Sequence, residues 1–155
     1  MSGTPAFAVK PSLTLKRRLN AAPEKVYAAW TDPEKIARWF GPDSGPVDHA
    51  ETDVRVGGRY TVIFHTEDGE EHHVSGVYRE VVENEKLVFT WAWRSTPERE
   101  SLVTILVRPE DDGSMLTLIH EQFFDEETRD RHEYGWSGCL DKLERWIASG
   151  EGVQS

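Results

Sequence analysis

The sequence predicts one α+β domain in which an antiparallel sheet packs against a long C-terminal helix. Three observations support this. Short segments between residues 49 and 124 alternate apolar and polar side chains, as strands with one buried face do. Turn-forming residues separate several of these segments, at Glu67-Asp68-Gly69 and at Asp111-Asp112-Gly113. An apolar stripe with helical spacing then runs from His132 to Ile147.

The first third of the chain predicts one strand and two short helices. Ser12–Leu19 alternates as a strand. Pro23 suits the first turn of a helix that ends near Thr31, because a helix needs no backbone N–H donor there. Asp32 can then cap a second helix, Glu34–Phe40.

A weak strand near His49–Val54 is expected next, followed by a hairpin. Its first strand is Arg59–His65, and Gly69 suits the left-handed position of a three-residue loop. This loop predicts the cross-strand pairs Phe64 with His72, Val62 with Val74 and Tyr60 with Gly76, with Tyr78 continuing the same face. A slip of one residue would reverse which side chains face inward.

The remaining elements are three strands and the long helix. The strands are predicted at Leu87–Arg94, Leu102–Arg108 and Met115–Phe124. The helix runs from Asp125, its expected N-cap, to Ser149. Gly135 and Gly138 lie inside it, where each costs about 1 kcal/mol relative to alanine. They are therefore expected to permit close packing or to leave space.

Composition and charge exclude several classes of protein. The 155 residues include 18 basic and 28 acidic side chains, a net charge of −10, which disfavours nucleic acid and anionic membranes as partners. No apolar stretch approaches the ~20 residues that membrane insertion needs. The N-terminus shows no targeting pattern, and the single cysteine, Cys139, fits a reducing compartment. A cytoplasmic location is expected.

Six motifs carry a resemblance to a known family. They are Pro23-Glu24-Lys25-Val26-Tyr27-Ala28-Ala29-Trp30-Thr31-Asp32-Pro33, Trp39-Phe40, Gly57-Gly58-Arg59-Tyr60, Gly76-Val77-Tyr78-Arg79-Glu80-Val81, Leu87-Val88-Phe89-Thr90-Trp91 and Gly135-Trp136. The ordered set resembles activator of heat-shock protein 90 ATPase homologue-type domains, within the START-like (SRPBCC, birch-pollen-allergen-like) superfamily. The resemblance implies a helix-grip fold, a curved antiparallel sheet wrapped around the C-terminal helix, with room for a small apolar ligand. We expect this START-like domain at residues 12–149, between a flexible arm at 1–11 and a flexible tail at 150–155.

An aromatic-rich interior is the most informative candidate site. Trp and Tyr carry polar atoms that need partners when buried, so such residues can line a space rather than fill one. A solid core is the alternative. The predicted lining residues are Tyr60, Val62, Phe64, Val74, Tyr78, Phe89, Trp91, Trp93, Leu116, Leu118, His120, His132, Trp136 and Leu140.

Motifs for catalysis, metals or cofactors are not evident in the sequence. His72 and His73 are adjacent and face opposite sides of a strand, and no third ligand is evident for His65 with His73. There is no Gly-x-Ser-x-Gly elbow, and Cys139 lies on the apolar stripe as an inert thiol would. We therefore predict no catalytic residue, no metal and no cofactor.

The predicted function is binding of a small hydrophobic or amphipathic molecule between sheet and helix. One alternative is a stress-related co-chaperone or protein-interaction module, with a chaperone as partner. The other is a cyclase or hydratase-like enzyme, for which His120, His132, Tyr60 and Tyr78 are the candidate ionisable groups. His120 is either a core histidine or a donor that orients the ligand. The ligand's identity and the oligomeric state stay open.

Overall fold

The computed structural model describes residues 10–149, and seven strands and three helices lie within this range. In chain order they are β1 (Leu13–Leu19), α1 (Pro23–Thr31), α2 (Pro33–Trp39), β2 (Val47–Thr52), β3 (Arg59–His65), β4 (Glu71–Val82), β5 (Lys86–Trp93), β6 (Ser101–Glu110), β7 (Gly113–Glu121) and α3 (Glu126–Ala148). The arm and tail expected from the sequence lie outside the described residues, apart from residues 10 and 11.

The strands form one antiparallel sheet in the order β1-β7-β6-β5-β4-β3-β2. The predicted fold class, α+β with a helix-grip arrangement, is confirmed. The β3–β4 register is also as predicted, pairing Phe64 with His72 and Val62 with Val74. Gly69 closes this hairpin with φ of +89°, a conformation that favours glycine.

Local capping explains where the helices begin. Pro23 occupies the first turn of α1. The side chain of Asp32 accepts a hydrogen bond of 3.0 Å from the backbone N–H of Glu34 at the start of α2. Asp125 caps α3 in the same way, accepting from the N–H of Thr128 at 2.8 Å. Both caps confirm the sequence prediction.

The long helix α3 closes one side of the core. Its buried residues are Trp136, Cys139, Leu140, Leu143 and Ile147. Arg17 of β1 also forms ion pairs with this helix, with Asp141 at 2.8 Å and Glu144 at 3.7 Å. Among the helices of residues 10–149, none has the length and apolar character needed to cross a membrane.

The two glycines of α3 have different surroundings. A Cβ atom on Gly138 would lie 2.3 Å from the carbonyl oxygen of Pro42, so only glycine allows this backbone approach. A Cβ atom on Gly135 would only reach the Cβ of Pro42, at an ordinary 3.7 Å. Gly138 therefore serves close packing, whereas Gly135 lies beside open space, and the two outcomes match the two expectations.

Candidate functional site

A cleft of about 1140 Å³ opens beside the first half of α3. Its walls come from the segment after α2, the β3–β4 hairpin, the β5–β6 connection, the β7–α3 junction and α3 itself. Residues from five separate parts of the chain therefore meet here. The structure thus leaves space at one end of the interface between sheet and helix.

Aromatic side chains form the floor of this cleft, which we call the aromatic cleft. They are Phe40, Phe64, Trp91, Trp93, Phe123 and Trp136. The rings contact one another: the Trp91 centroid lies 5.0 Å from that of Trp136 and 5.4 Å from that of Trp93. Such packed rings present a large apolar surface at a small entropic cost.

His132 of α3 organises two of these indoles. Its Nε2 accepts hydrogen bonds from the indole nitrogen of Trp93 at 2.9 Å and of Trp91 at 3.3 Å. Because Nε2 accepts, Nδ1 carries the proton and donates to the carbonyl of Thr128 at 2.8 Å. Burial lowers the pKa of His132, so the neutral ring is favoured.

His120 is a core histidine behind this layer and has no exposed surface. Its Nδ1 accepts from the indole nitrogen of Trp136 at 2.9 Å, and its Nε2 donates to the Ser101 hydroxyl at 2.7 Å. That hydroxyl in turn donates to the Trp91 carbonyl at 3.3 Å. Burial, with a smaller contribution from His132, holds the pKa of His120 well below its usual range. Both ring nitrogens are thus engaged within the protein.

A small inner void of about 30 Å³ lies beneath the cleft floor. Phe40, Trp91 and Trp136 line both spaces. The void has about the size that one water molecule needs. Trp30 also lines it, and its buried indole nitrogen has no hydrogen-bond partner among the described residues.

The predicted lining residues fall into three groups. Five line the aromatic cleft: Phe64, Trp91, Trp93, His132 and Trp136. Four others line only the inner void: Tyr60, Val62, Tyr78 and Phe89. The rest lie in the packed core and reach neither space: Val74, Leu116, Leu118, His120 and Leu140.

Sequence reasoning missed the polar rim of the cleft. Its acidic residues, which we call the acidic wall, are Asp43, Glu67, Asp68, Glu70 and Glu71. Its arginines, which we call the arginine wall, are Arg94, Arg99 and Arg131. The predicted hairpin register already placed the loop after Phe64 at the end of the sheet, but nothing in the sequence linked that loop to α3. None of these charged residues was therefore among the predicted lining residues.

Lys142 fixes the segment that forms one edge of the cleft. Its ammonium group donates to the carbonyls of Phe40 at 3.1 Å and Asp43 at 2.5 Å. Cys139 lies nearby, and burial raises the pKa of its thiol to about 12. A thiol with so high a pKa is a poor nucleophile at neutral pH, which agrees with the position of Cys139 on the apolar stripe.

One cluster beside the cleft combines metal-ligating residue types. Donor atoms of Asp48, His65 and Glu71, the last of which also belongs to the acidic wall, all lie within 4.8 Å of one another. The group already makes its own contacts: His65 binds Asp48 at 2.5 Å, and Glu71 pairs with His73 at 3.1 Å. These pairs account for the cluster without an ion.

Comparison with known proteins identifies relatives of this chain. A family model described as "Activator of Hsp90 ATPase homolog 1-like protein" matches residues 20–148. The structure of the AHSA1 protein from Silicibacter pomeroyi is similar, with 32% identity, a TM-score of 0.80 and coverage of 90% of this chain and 99% of that one. A Chromobacterium violaceum protein gives 29% identity and a TM-score of 0.80 over 88% and 96% of the two chains.

A further similar structure is CalU16 from Micromonospora echinospora. It is 26% identical, with a TM-score of 0.65 over 88% of this chain and 75% of that chain. No curated protein matches the sequence.

Proposed function

The chain belongs to the activator of Hsp90 ATPase homologue 1-like family, and from that premise we propose that it binds a small hydrophobic or amphipathic molecule in the aromatic cleft. The observation that carries the proposal is the pairing of a cleft of about 1140 Å³ with a floor of packed aromatic rings. Ligand pockets typically have volumes of this order and linings of this kind.

The partners of the tryptophans support binding on the floor. Trp91 and Trp93 satisfy their indole N–H groups on His132, so a ligand does not have to supply acceptors for them. An apolar molecule can thus cover the rings without leaving a buried donor unpaired. Apolar burial contributes about 25 cal/mol per Å², so moderate contact area is enough for submillimolar affinity, about −4 kcal/mol or better.

The same contacts favour binding over acid–base catalysis. A general acid or base must reach the substrate with an available proton or lone pair. Both ring nitrogens of His120 and of His132 are engaged within the protein. Tyr60 donates to the carbonyl of Thr90 at 2.5 Å, and burial raises the pKa of Tyr60 well above its usual range.

The test is an intrinsic tryptophan fluorescence titration with an apolar dye and with fatty acids. We expect quenching or a shift of emission in the native protein, because Trp91 and Trp93 lie in the cleft. Gly135→Leu should place a side chain in the cleft and weaken binding at least about tenfold, ~1.4 kcal/mol. A helix interior accepts leucine well, so this variant should remain folded.

Gly135→Ala is the matched control, because its single methyl group leaves most of the cleft free. Equal binding by Gly135→Leu and the native protein would place the ligand elsewhere. If no probe perturbs the fluorescence of the folded protein, the proposal fails. Native mass spectrometry of the purified protein, followed by extraction, would then identify any molecule that co-purifies.

We extend the proposal to domain limits and location. The START-like domain occupies residues 12–149, of which the family model matches 20–148. A reducing, cytoplasmic setting fits the single cysteine, Cys139, which is buried.

A protein partner at the cleft mouth is the second candidate function. Phe124 and Tyr134 line the mouth and are 59% and 81% exposed, which is unusual for large aromatic side chains. Exposed aromatics beside arginines are typical of binding hot spots. A pull-down with a purified chaperone ATPase, using the native chain and Phe124→Ser/Tyr134→Ser, tests this candidate. Loss of capture in the variant, with dye binding retained, would favour it.

A further inference from the structure

The two walls of the aromatic cleft differ in which of their polar groups already have hydrogen-bond partners. On the acidic wall, four of the five carboxylates already accept hydrogen bonds or pair with a histidine: Asp43, Glu67, Asp68 and Glu71. Asp43, for example, accepts from the backbone N–H groups of Gly45 at 2.9 Å and Glu67 at 3.0 Å. These carboxylates stabilise the loops that form the wall.

The arginine wall, by contrast, contains guanidinium groups without a carboxylate partner. Within residues 10–149, neither Arg94 nor Arg99 has an acidic oxygen within 4.0 Å. Arg94 lies 3.4 Å from both ring nitrogens of His73. Arg131, the third member of this wall, is already paired with Glu127 at 2.8 Å. Arg94 and Arg99 are therefore guanidinium donors without an acidic partner at the cleft, even though its rim carries five carboxylates against three arginines.

Arg99 is held in place without being neutralised. Its guanidinium carbon lies 3.9 Å from the ring centroid of Phe124, a cation–π contact. The Asp125 carboxylate is occupied with capping α3: hydrogen bonds from Thr128 lower its pKa, and nearby Arg99 makes a smaller contribution to the same shift. A stacked guanidinium keeps its N–H donors available for a planar anion such as a carboxylate.

We infer that the ligand is an apolar carboxylate whose charged group binds Arg94 and Arg99 while its apolar part covers the aromatic floor. This inference rests on the proposed function and specifies its ligand class. The protein's net charge of −10 repels anions in general, so a preference for an anionic ligand has to come from these local arginines. A bidentate guanidinium–carboxylate contact provides it.

The experiment compares two ligands with the same ten-carbon chain, decanoate and 1-decanol, by tryptophan fluorescence at about pH 7, where a carboxylic acid is ionised. Decylamine serves as the cationic member of the series. We expect decanoate to bind about tenfold more tightly than decanol. Arg94→Gln/Arg99→Gln should abolish this preference and leave decanol binding within about twofold of the native value.

The control variant is Arg55→Gln/Arg108→Gln, which removes the same two charges outside the cleft. Arg55 pairs with Asp53 at 2.9 Å and Arg108 with Glu110 at 3.6 Å. This variant should keep the preference for decanoate, which separates a local contact from a change in net charge. Thermal unfolding of each variant checks that the fold is retained.

Each other outcome overturns a defined part of the argument. Equal affinity for decanoate and decanol would overturn the carboxylate inference and leave the proposed apolar site intact. Tightest binding of decylamine would also overturn it, in favour of the acidic wall. A preference that survives in Arg94→Gln/Arg99→Gln would show that these arginines do not bind the anion. If none of the three ligands binds, the proposed function and the inference fail together.

Discussion

The two halves of α3 face the same sheet, yet one half is sealed and the other borders a cleft. In the C-terminal half, Leu140, Leu143 and Ile147 are buried among core side chains. In the N-terminal half, His132 and Gly135 border the aromatic cleft, and Tyr134 is 81% exposed. Both halves carry the same helical spacing of inward positions.

The difference shows that the size and chemistry of a few side chains decide whether helix and sheet touch. Leucine and isoleucine fill the C-terminal half without polar atoms to satisfy. The N-terminal half instead carries a glycine and a histidine, and His132 uses its ring to bind two indoles rather than to fill space. Packing therefore stabilises one half, and the other half is available to a ligand.

The largest expected effect tests the sealed half. Leu143→Ala should lower the free energy of unfolding by about 2–5 kcal/mol, because the fully buried leucine leaves a cavity. Tyr134→Ala, on the same helix but exposed, should change it by no more than about 0.5 kcal/mol. Chemical denaturation monitored by circular dichroism measures both. Similar values for the two variants would contradict the division of α3 into sealed and open halves.

A smaller effect is expected at the boundary between the halves. Gly138→Ala should destabilise the protein by about 1–3 kcal/mol, the usual range for overpacking. The reason is the 2.3 Å separation that its Cβ would have from the carbonyl oxygen of Pro42. Denaturation of this variant beside the native protein gives the value. A neutral substitution would show that the segment at Pro42 moves away easily.

The buried histidine behind the open half of α3, His120, predicts that the stability of the protein depends on pH. Because burial lowers the pKa of His120, the folded state binds fewer protons than the unfolded state below about pH 6.5. Stability should therefore fall as the pH falls from 7 to 5.5, because protons bind His120 preferentially in the unfolded state. Denaturation at a series of pH values measures the trend.

NMR can assign this trend to the buried ring. The His120 signals should not titrate in the folded protein over that range, because burial disfavours the charged ring. Titration of His120 near pH 6.5 would contradict its placement in a closed hydrogen-bond network.

The smallest expected effect is a gain in stability. Gly135→Ala should raise the free energy of unfolding by up to about 1 kcal/mol, because alanine is favoured in a helix and meets only an ordinary 3.7 Å contact here. Thermal unfolding measures the gain. A loss would mean that the open half tolerates no added volume, which would also weaken the argument for a ligand there.

Much of the fold could be predicted because its signals are local. Alternation of apolar and polar side chains predicted the strands, and the Glu67-Asp68-Gly69 loop predicted the β3–β4 register. Asp32 and Asp125 predicted where two helices begin. Strand ends still differed by one to three residues, as at β5, which begins at Lys86 rather than Leu87, and at β7, which ends at Glu121 rather than Phe124. The hydrogen bonds to a neighbouring strand decide where a strand ends, and the sequence of one strand does not reveal them.

The site could be predicted only in part. Alternation placed Trp91, Trp93 and His120 on one side of the sheet, but it did not distinguish a residue that lines a cleft from one behind it. His120 lies behind because Trp136 of α3 and Ser101 of β6 occupy its two nitrogens. Both partners are distant in the sequence, so no local pattern predicted these contacts.

The sequence by itself thus determined the elements, their order, the hairpin register and the inward face of each strand, since these depend on neighbours within a few residues. Tertiary structure alone decided where the interior stays open, and it brought the acidic wall and the arginine wall to the rim of one cleft. The physical reason is that a cleft is the space left between packed elements, so its shape and charge depend on the distances between segments far apart along the chain.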